Sequence, residues 1–254
     1  MPRWDFLLID VSNSFTKLAF ATRARVGRSE RIPTRELTAE RVGKFLRKGK
    51  PRAVVACSVV PKKNREIERA AKDAEMIWLT PRAKLNVRIE YPRPKTIGAD
   101  RLANAVAVSA LYGTPAIVID FGTAVTFDIV SADGAYVGGV IAPGLEAMTN
   151  FLYDRTALLP RISLKEPHRA LGKTTHAAML VGAIYGYRGL VREILRRIVK
   201  EEFARRKVHV VATGGYAKLI ARAMPEVGEV RENLTLEGLR LVGRLNARSG
   251  PAKS

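Results

Sequence analysis

Two stretches of this chain put a carboxylate at the end of an apolar run and follow it with hydroxyls. The first, "LLIDVSNSFTKLAF" (residues 7–20), runs from Asp10 and Val11 through Ser12, Asn13, Ser14, Phe15 and Thr16 to Lys17. The second, "IVIDFGTAVTFDIV" (117–130), runs from Asp120 through Gly122 and Thr123 to Thr126. Aligned on their aspartates, both read Ile-Asp, then a turn residue, and reach a threonine six positions on. Backbone N–H groups at such turns, with hydroxyls beside them, bind anionic oxygens, and the carboxylates take hard cations directly or through water. Either stretch taken singly reads equally well as the polar turn of a β-hairpin. Their repetition is what argues for function. A duplicated hairpin followed by helices implies two similar α/β lobes whose acidic turns approach one ligand from opposite sides.

The elements that must carry these turns can be read from periodicity. Residues 5–10 and 15–20 form the first hairpin, and 38–48 a helix with Thr38 as its cap and Gly49 as its stop. "AVVACSVV" (53–60) is an apolar strand, followed by a helix from Pro61 and a short strand near "MIWL". The proline-bearing stretch 80–98 is irregular, and 99–112 suits an amphipathic helix. A second set of strands then follows: "AIVID", "AVTFDIV" and, after the turn "ADG", "AYVGGVIA". Helical segments follow at "GLEAMTNFLYDRTALL" and from Thr175 to about Arg206; "KVHVVAT" is a buried strand ended by "GG", and helices close the chain ahead of a mobile tail, "ARSGPAKS". A boundary near 112–116 divides the chain into comparable halves, 1–113 and 114–254.

The chain has 254 residues, enough for one large or two smaller domains, and an ordinary apolar fraction of 47% argues against wholesale disorder. Its single cysteine, Cys57, has no partner for an internal disulfide and sits in an apolar run, which reads as a buried thiol in a reducing cytoplasm. The N-terminal residues lack the pattern of a signal peptide, and no apolar run has the length of a membrane span. The formal charge is +20, concentrated in 23–52 and 188–207. Such charge favours anionic partners, nucleic acid among them, or is simply a solvated arginine-rich surface. Neither basic segment has interleaved aromatics or a groove-reading helix. The three histidines have no zinc-ligand spacing.

The doubled acidic hairpins resemble the phosphate loops of the superfamily that contains actin, sugar kinases and acetate kinase. More narrowly, the chain resembles type III pantothenate kinases along nearly its whole length: "IDVSNSFTK", "SVVP", "GADR", "IDFGTAVTFD", "GGVIAPGL", "GKTT", "ATGG" and "LTLEGL" occur in order. The resemblance implies a duplicated actin-like (ribonuclease H-like) α/β fold, with two lobes of mixed sheet around a central nucleotide cleft. It also implies ATP-dependent phosphorylation of pantothenate to 4′-phosphopantothenate, the first step of coenzyme A synthesis, in a cytoplasmic homodimer with no membrane partner. The family pattern in the first loop is Asp-x-Gly-Asn-Thr, where this chain has "DVSNS". Ser12 thus adds a Cβ where glycine permits positive φ. That departure, with the charge, leaves a second reading: a catalytically weakened homologue with a regulatory or nucleic-acid-binding role.

Residue by residue, the resemblance implies that Asp100 takes the proton from the acceptor hydroxyl, and that Tyr91, Gly98, Ala99, Arg101 and Thr175 contact pantothenate. Asp10, Val11, Ser12, Asn13, Ser14, Phe15, Thr16 and Lys17 would line the ATP phosphates with Mg²⁺, while Thr123, Gly214 and Gly215 touch the nucleotide. Asp120 would hold a monovalent cation, K⁺ or NH₄⁺. From residue type alone, Asp100 is as readily an aspartate at a helix N-terminus, Thr175 a helix cap, and Gly214-Gly215 a strand-to-helix turn.

Overall fold

The computed structural model describes residues 4–204 and 206–248. In chain order it contains β1 (Phe6–Val11), β2 (Phe15–Ala21), β3 (Val26–Pro33), α1 (Ala39–Gly49), β4 (Ala53–Ser58), α2 (Pro61–Ala70), β5 (Glu75–Trp78), β6 (Arg88–Ile89) and α3 (Ala99–Tyr112). There follow β7 (Ala116–Phe121), β8 (Ala124–Val130), β9 (Ala135–Pro143), α4 (Leu145–Arg155), α5 (Thr175–Glu202), β10 (His209–Thr213), α6 (Ala217–Ala221), β11 (Glu229–Val230) and α7 (Leu234–Asn246). Contacts divide the chain into two compact units. Unit 1 comprises Met1–Tyr112, Gly134–Val137 and Asn233–Ser254; unit 2 comprises Gly113–Asp133 and Gly138–Glu232.

Unit 1 is built on a sheet of order β3-β2-β1-β4-β5. β1 pairs antiparallel with β2 and parallel with β4. Every residue of β1, and all of β4 but Ser58, is buried, as continuous apolar runs require of strands covered on both faces. On one face Leu7, Ile9 and Val11 pack with Leu37, Val42 and Ile67. The other face is covered by α3 and α7. A Cβ on Gly238 would stand 2.0 Å from the Ala103 carbonyl oxygen, so glycine is what lets these two helices cross closely.

Local signals hold where the sequence made them strong. Thr38 caps α1, its hydroxyl accepting from the Arg41 N–H at 3.3 Å. Gly49 does a different job from the expected stop. It is the last residue of the helix, and Lys50 takes the left-handed turn at φ 42°. A Cβ on Gly49 would meet the Phe20 ring at 2.1 Å, so the glycine makes room for an aromatic ring. Strand β3 was not anticipated within the basic stretch 23–52. It is a charged edge strand, an arrangement that discourages pairing with other chains and hides the period-2 pattern. The stretch expected to be irregular contains the two-residue strand β6, which pairs with Ala135 and Tyr136 of β9.

Unit 2 has β7 at its centre, parallel to β10 and antiparallel to β8. β11 extends the β10 side and β9 the β8 side. Helix α4 stops at Arg155 and α5 at Glu202, both short of the expected ends. Arg188 of α5 forms a bidentate pair with Glu166, at 2.8 and 2.7 Å, and donates to the Leu219 and Ile220 carbonyls, anchoring the irregular segment 156–174. Among the described residues no helix is long and apolar enough to cross a membrane. The expected mobile tail lies outside the described residues but for Ala247 and Arg248.

Candidate active site

In unit 1 the site begins where β1 ends. Asp10 is buried and stands in register with Lys17 on β2 and Cys57 on β4. Its Oδ1 accepts from the Ser12 hydroxyl at 3.3 Å and from the Cys57 thiol at 3.5 Å. The turn after it is closed by the Ser12 N–H donating to the Phe15 carbonyl at 3.2 Å. Thr34, just past β3, braces this turn: its hydroxyl donates to the Ser12 carbonyl at 2.7 Å and its N–H to the Ser14 carbonyl at 3.0 Å. With that proton committed, the Thr16 hydroxyl, 3.0 Å away, is the donor to Thr34.

Ser12 does not occupy a backbone conformation that only glycine tolerates. Among the described residues, only Lys50 and Ala204 combine a side chain with positive φ. Asn13, Ser14 and Phe15 are exposed, and the Arg31 guanidinium lies 3.5 Å above the Phe15 ring.

The two hairpins differ by one residue in their turns. Asp10 lies opposite Lys17, whereas Asp120 lies opposite Thr126. Because side chains alternate with period 2, Thr16 faces away from Asp10 and is wholly buried, while Thr126 shares the face of Asp120. The threonines matched by sequence spacing are therefore not structural equivalents; Lys17 is the residue beside the first aspartate.

Asp100 lies in the first turn of α3 in the same unit, and the Arg101 N–H donates to its Oδ1 at 2.8 Å. Burial pushes the Asp100 carboxyl above the usual carboxylate range, with the Arg101 N–H and guanidinium opposing. A Cβ on Gly98 would lie 2.5 Å from Asp100 Oδ1, so Gly98 leaves the room that carboxylate occupies. Cys57 lies within the fields of both aspartates. Burial first, then Asp10 and Asp100, push its thiol well above its ordinary value. The buried thiol read from the sequence thus lies beside Asp10, a placement produced by strand pairing.

Tyr136, carried into unit 1 by the first residues of β9, was missed in the sequence. Its ring is fully buried, 6.2 Å from the Tyr91 ring and 5.8 Å below the Arg101 guanidinium. It brings Tyr91 and Arg101 to one aromatic centre although they are ten positions apart. Ala99, at the start of α3, is partly buried.

In unit 2, Asp120 is the penultimate residue of β7 and stands in register with Thr213. The Thr213 hydroxyl is buried and has no hydrogen-bond partner among the described residues. Gly214 follows at φ +94°, and a Cβ there would be 2.5 Å from Asp120 Oδ1. Thr123 is exposed at the turn of the second hairpin, where Gly144 packs so closely that a Cβ would stand 2.2 Å from the Thr123 carbonyl oxygen. Gly215 is exposed, and the next residue, Tyr216, donates its N–H to Phe121 at 3.3 Å and its hydroxyl to Glu146. Thr175 is the first residue of α5, but Thr174 is the cap, accepting from Ala177 N–H at 3.2 Å. The capping alternative for Thr175 therefore falls, and its side chain is exposed.

No cluster of three or more histidine, cysteine, aspartate or glutamate side chains suited to a metal exists among the described residues. Single carboxylates do fit cations that keep phosphate and water ligands, as Mg²⁺ does. Asp10 offers that kind of oxygen donor, and Asp120 with the orphaned Thr213 hydroxyl offers two oxygens for a monovalent ion.

The family model described as type III pantothenate kinase matches residues 6–197. A type III pantothenate kinase from Methylacidiphilum infernorum is 43% identical over 239 residues, covering 94% of this chain and 88% of that protein. One from Akkermansia muciniphila is 47% identical over 243 residues, covering 95% and 99%. Among solved structures, a protein described as a 2-dehydro-3-deoxygalactonokinase from Sinorhizobium meliloti aligns with TM-score 0.61 at 13% identity, covering 94% of this chain and 98% of that one. An archaeal actin homologue aligns with TM-score 0.53 at 12% identity, covering 94% and 99%. These two likenesses establish the actin-like, sugar-kinase type of α/β fold that the doubled hairpins implied.

Proposed function

This chain belongs to the type III pantothenate kinase family, and we propose that it transfers the γ-phosphoryl group of ATP to the primary hydroxyl of pantothenate, giving 4′-phosphopantothenate and ADP. The observation that carries the residue assignment is the grouping of two carboxylates in unit 1: Asp10, buried and hydrogen-bonded by the Cys57 thiol, and Asp100, in the first turn of α3. That grouping supports a nucleotide-facing carboxylate and a proton acceptor in one neighbourhood.

The acceptor oxygen forms a bond to the γ-phosphorus as the bond to the β,γ-bridging oxygen breaks, and the hydroxyl proton goes to Asp100. Burial makes Asp100 a better base than an exposed aspartate, because the ionised form is disfavoured there. Arg101 presents its guanidinium to the pantothenate carboxylate, held in place by stacking on Tyr136, and Tyr91 adds an apolar wall. Thr175, exposed at the start of α5, is the further substrate contact that the family resemblance implies.

The turn 11–17 would take the ATP phosphates, and Asp10 would hold Mg²⁺, which when bound supplies positive charge against the phosphates. Thr123, Gly214 and Gly215 are the nucleotide contacts that unit 2 would offer, and Asp120 with Thr213 would hold K⁺ or NH₄⁺. A homodimer is supported by large apolar side chains left in solvent on unit 2, among them Ile141, Phe151, Leu158 and Leu171, which are 61–89% exposed. A coupled ADP-release assay with ATP, Mg²⁺ and pantothenate in potassium buffer tests the reaction. Turnover dependent on pantothenate is expected, and its absence at saturating substrate refutes the assignment.

A further inference from the structure

The Asp10 carboxylate is held by two side chains that no phosphate-loop pattern requires. Ser12 and Cys57 both donate to the same oxygen, Oδ1, at 3.3 and 3.5 Å. Neither donor is placed by chance. The backbone of Ser12 is fixed on both sides, its N–H bonded to Phe15 and its carbonyl to the Thr34 hydroxyl. Cys57 is delivered by the parallel register of β4 on β1, where Asp10 and Cys57 are direct partners in buried strands. Residues so paired lie on the same face of the sheet.

A carboxylate on a strand end has two rotatable bonds, and each orientation it samples weakens its hold on a cation. Two donors on one oxygen remove that freedom before any ligand arrives. We propose that Ser12 and Cys57 are positioning residues that clamp Asp10 for the magnesium nucleotide, so that Ser12 is a compensating feature of this loop and not a defect in it. The proposal rests on the assignment of Asp10 to Mg²⁺-nucleotide binding.

The test measures ADP affinity by titration calorimetry with and without Mg²⁺, on the full chain and on Ser12→Ala, Cys57→Ala and the double variant. Each single change is expected to lower Mg²⁺-dependent affinity about tenfold, the scale of a hydrogen bond to a charged group, and the double variant further. Affinity without Mg²⁺ should fall by less, so that the ratio of the two affinities drops, and the KM for pantothenate should not move. Cys57→Ser, which restores a donor, is expected to recover most of the loss. A Ser12→Ala protein, altered at a half-exposed turn residue, folds even where a core variant does not and so carries the test alone. An unchanged ratio of affinities with and without Mg²⁺ in Ser12→Ala overturns the clamp, as does a parent chain whose ADP affinity ignores Mg²⁺. A parent that binds Mg²⁺-ADP through the clamp yet fails to phosphorylate pantothenate refutes the substrate alone.

Discussion

The Thr34 hydroxyl donates to the Ser12 carbonyl at 2.7 Å, so a residue beyond an edge strand fixes the turn that follows Asp10. Replacing Thr34 by valine keeps the shape but strands the Ser12 carbonyl and the Thr16 hydroxyl. The expected cost is about 1–3 kcal/mol of stability, that of leaving buried polar groups unpaired. Denaturant unfolding measures it. The same variant raises the KM for ATP more than that for pantothenate.

Asp100→Asn is expected to lower kcat by about 10²–10⁴, the usual contribution of a positioned base. It should not cost stability at neutral pH. The folded chain holds the Asp100 proton to higher pH than the unfolded chain does, because burial raises its carboxyl. The stability this lends is complete below the unfolded carboxylate range and is lost as pH rises through the folded value. Asparagine removes that loss, so the variant melts at or above the parent temperature at pH 7, and the advantage vanishes in acid. Parallel melting curves across pH decide it.

The same raised carboxyl is expected to set the acid limb of the pH–rate profile. kcat/KM for pantothenate should climb with pH through a value above that of an exposed aspartate. A limb at the ordinary aspartate position would remove Asp100 as the base.

Thr213→Val closes the orphaned hydroxyl beside Asp120 without changing the fold, since that hydroxyl has no partner to lose. Replacing K⁺ by a bulky organic cation is expected to slow the parent enzyme, and the variant should need more K⁺ for half-maximal rate. Gly214→Ala is expected to be harsher, because its Cβ would meet both Asp120 and the Phe121 backbone at a positive φ. Initial rates against K⁺ concentration separate the two effects.

Arg188→Met is expected to cost about 1–3 kcal/mol, the scale of leaving buried polar groups unpaired, since the Glu166 carboxylate left behind is partly in solvent. The arginine is 6% exposed and its loss also leaves the Leu219 and Ile220 carbonyls without their donor. Arg188 holds the Glu166 carboxyl below its ordinary value, so this support fades as pH falls through the acidic range. Thermal melting at neutral and acid pH reads both effects.

The local sequence determined a good deal. Apolar runs at 6–11, 53–58 and 116–121 had to become buried strands, Thr38 had to cap α1, and the paired Ile-Asp turns pointed to the actin-like fold. Each of these follows from periodicity or from hydrogen bonds spanning a few residues. The tertiary structure decided what lies next to what. Strand register put Cys57 beside Asp10 and Lys17, not Thr16, across from it; a two-residue pairing brought Tyr136 to Tyr91. A one-residue change in turn length reverses which side chains share a face, and contacts between residues 47 positions apart leave no trace in local pattern. The chain wrote the donors and carboxylates; only the packing of strands and helices could set them together.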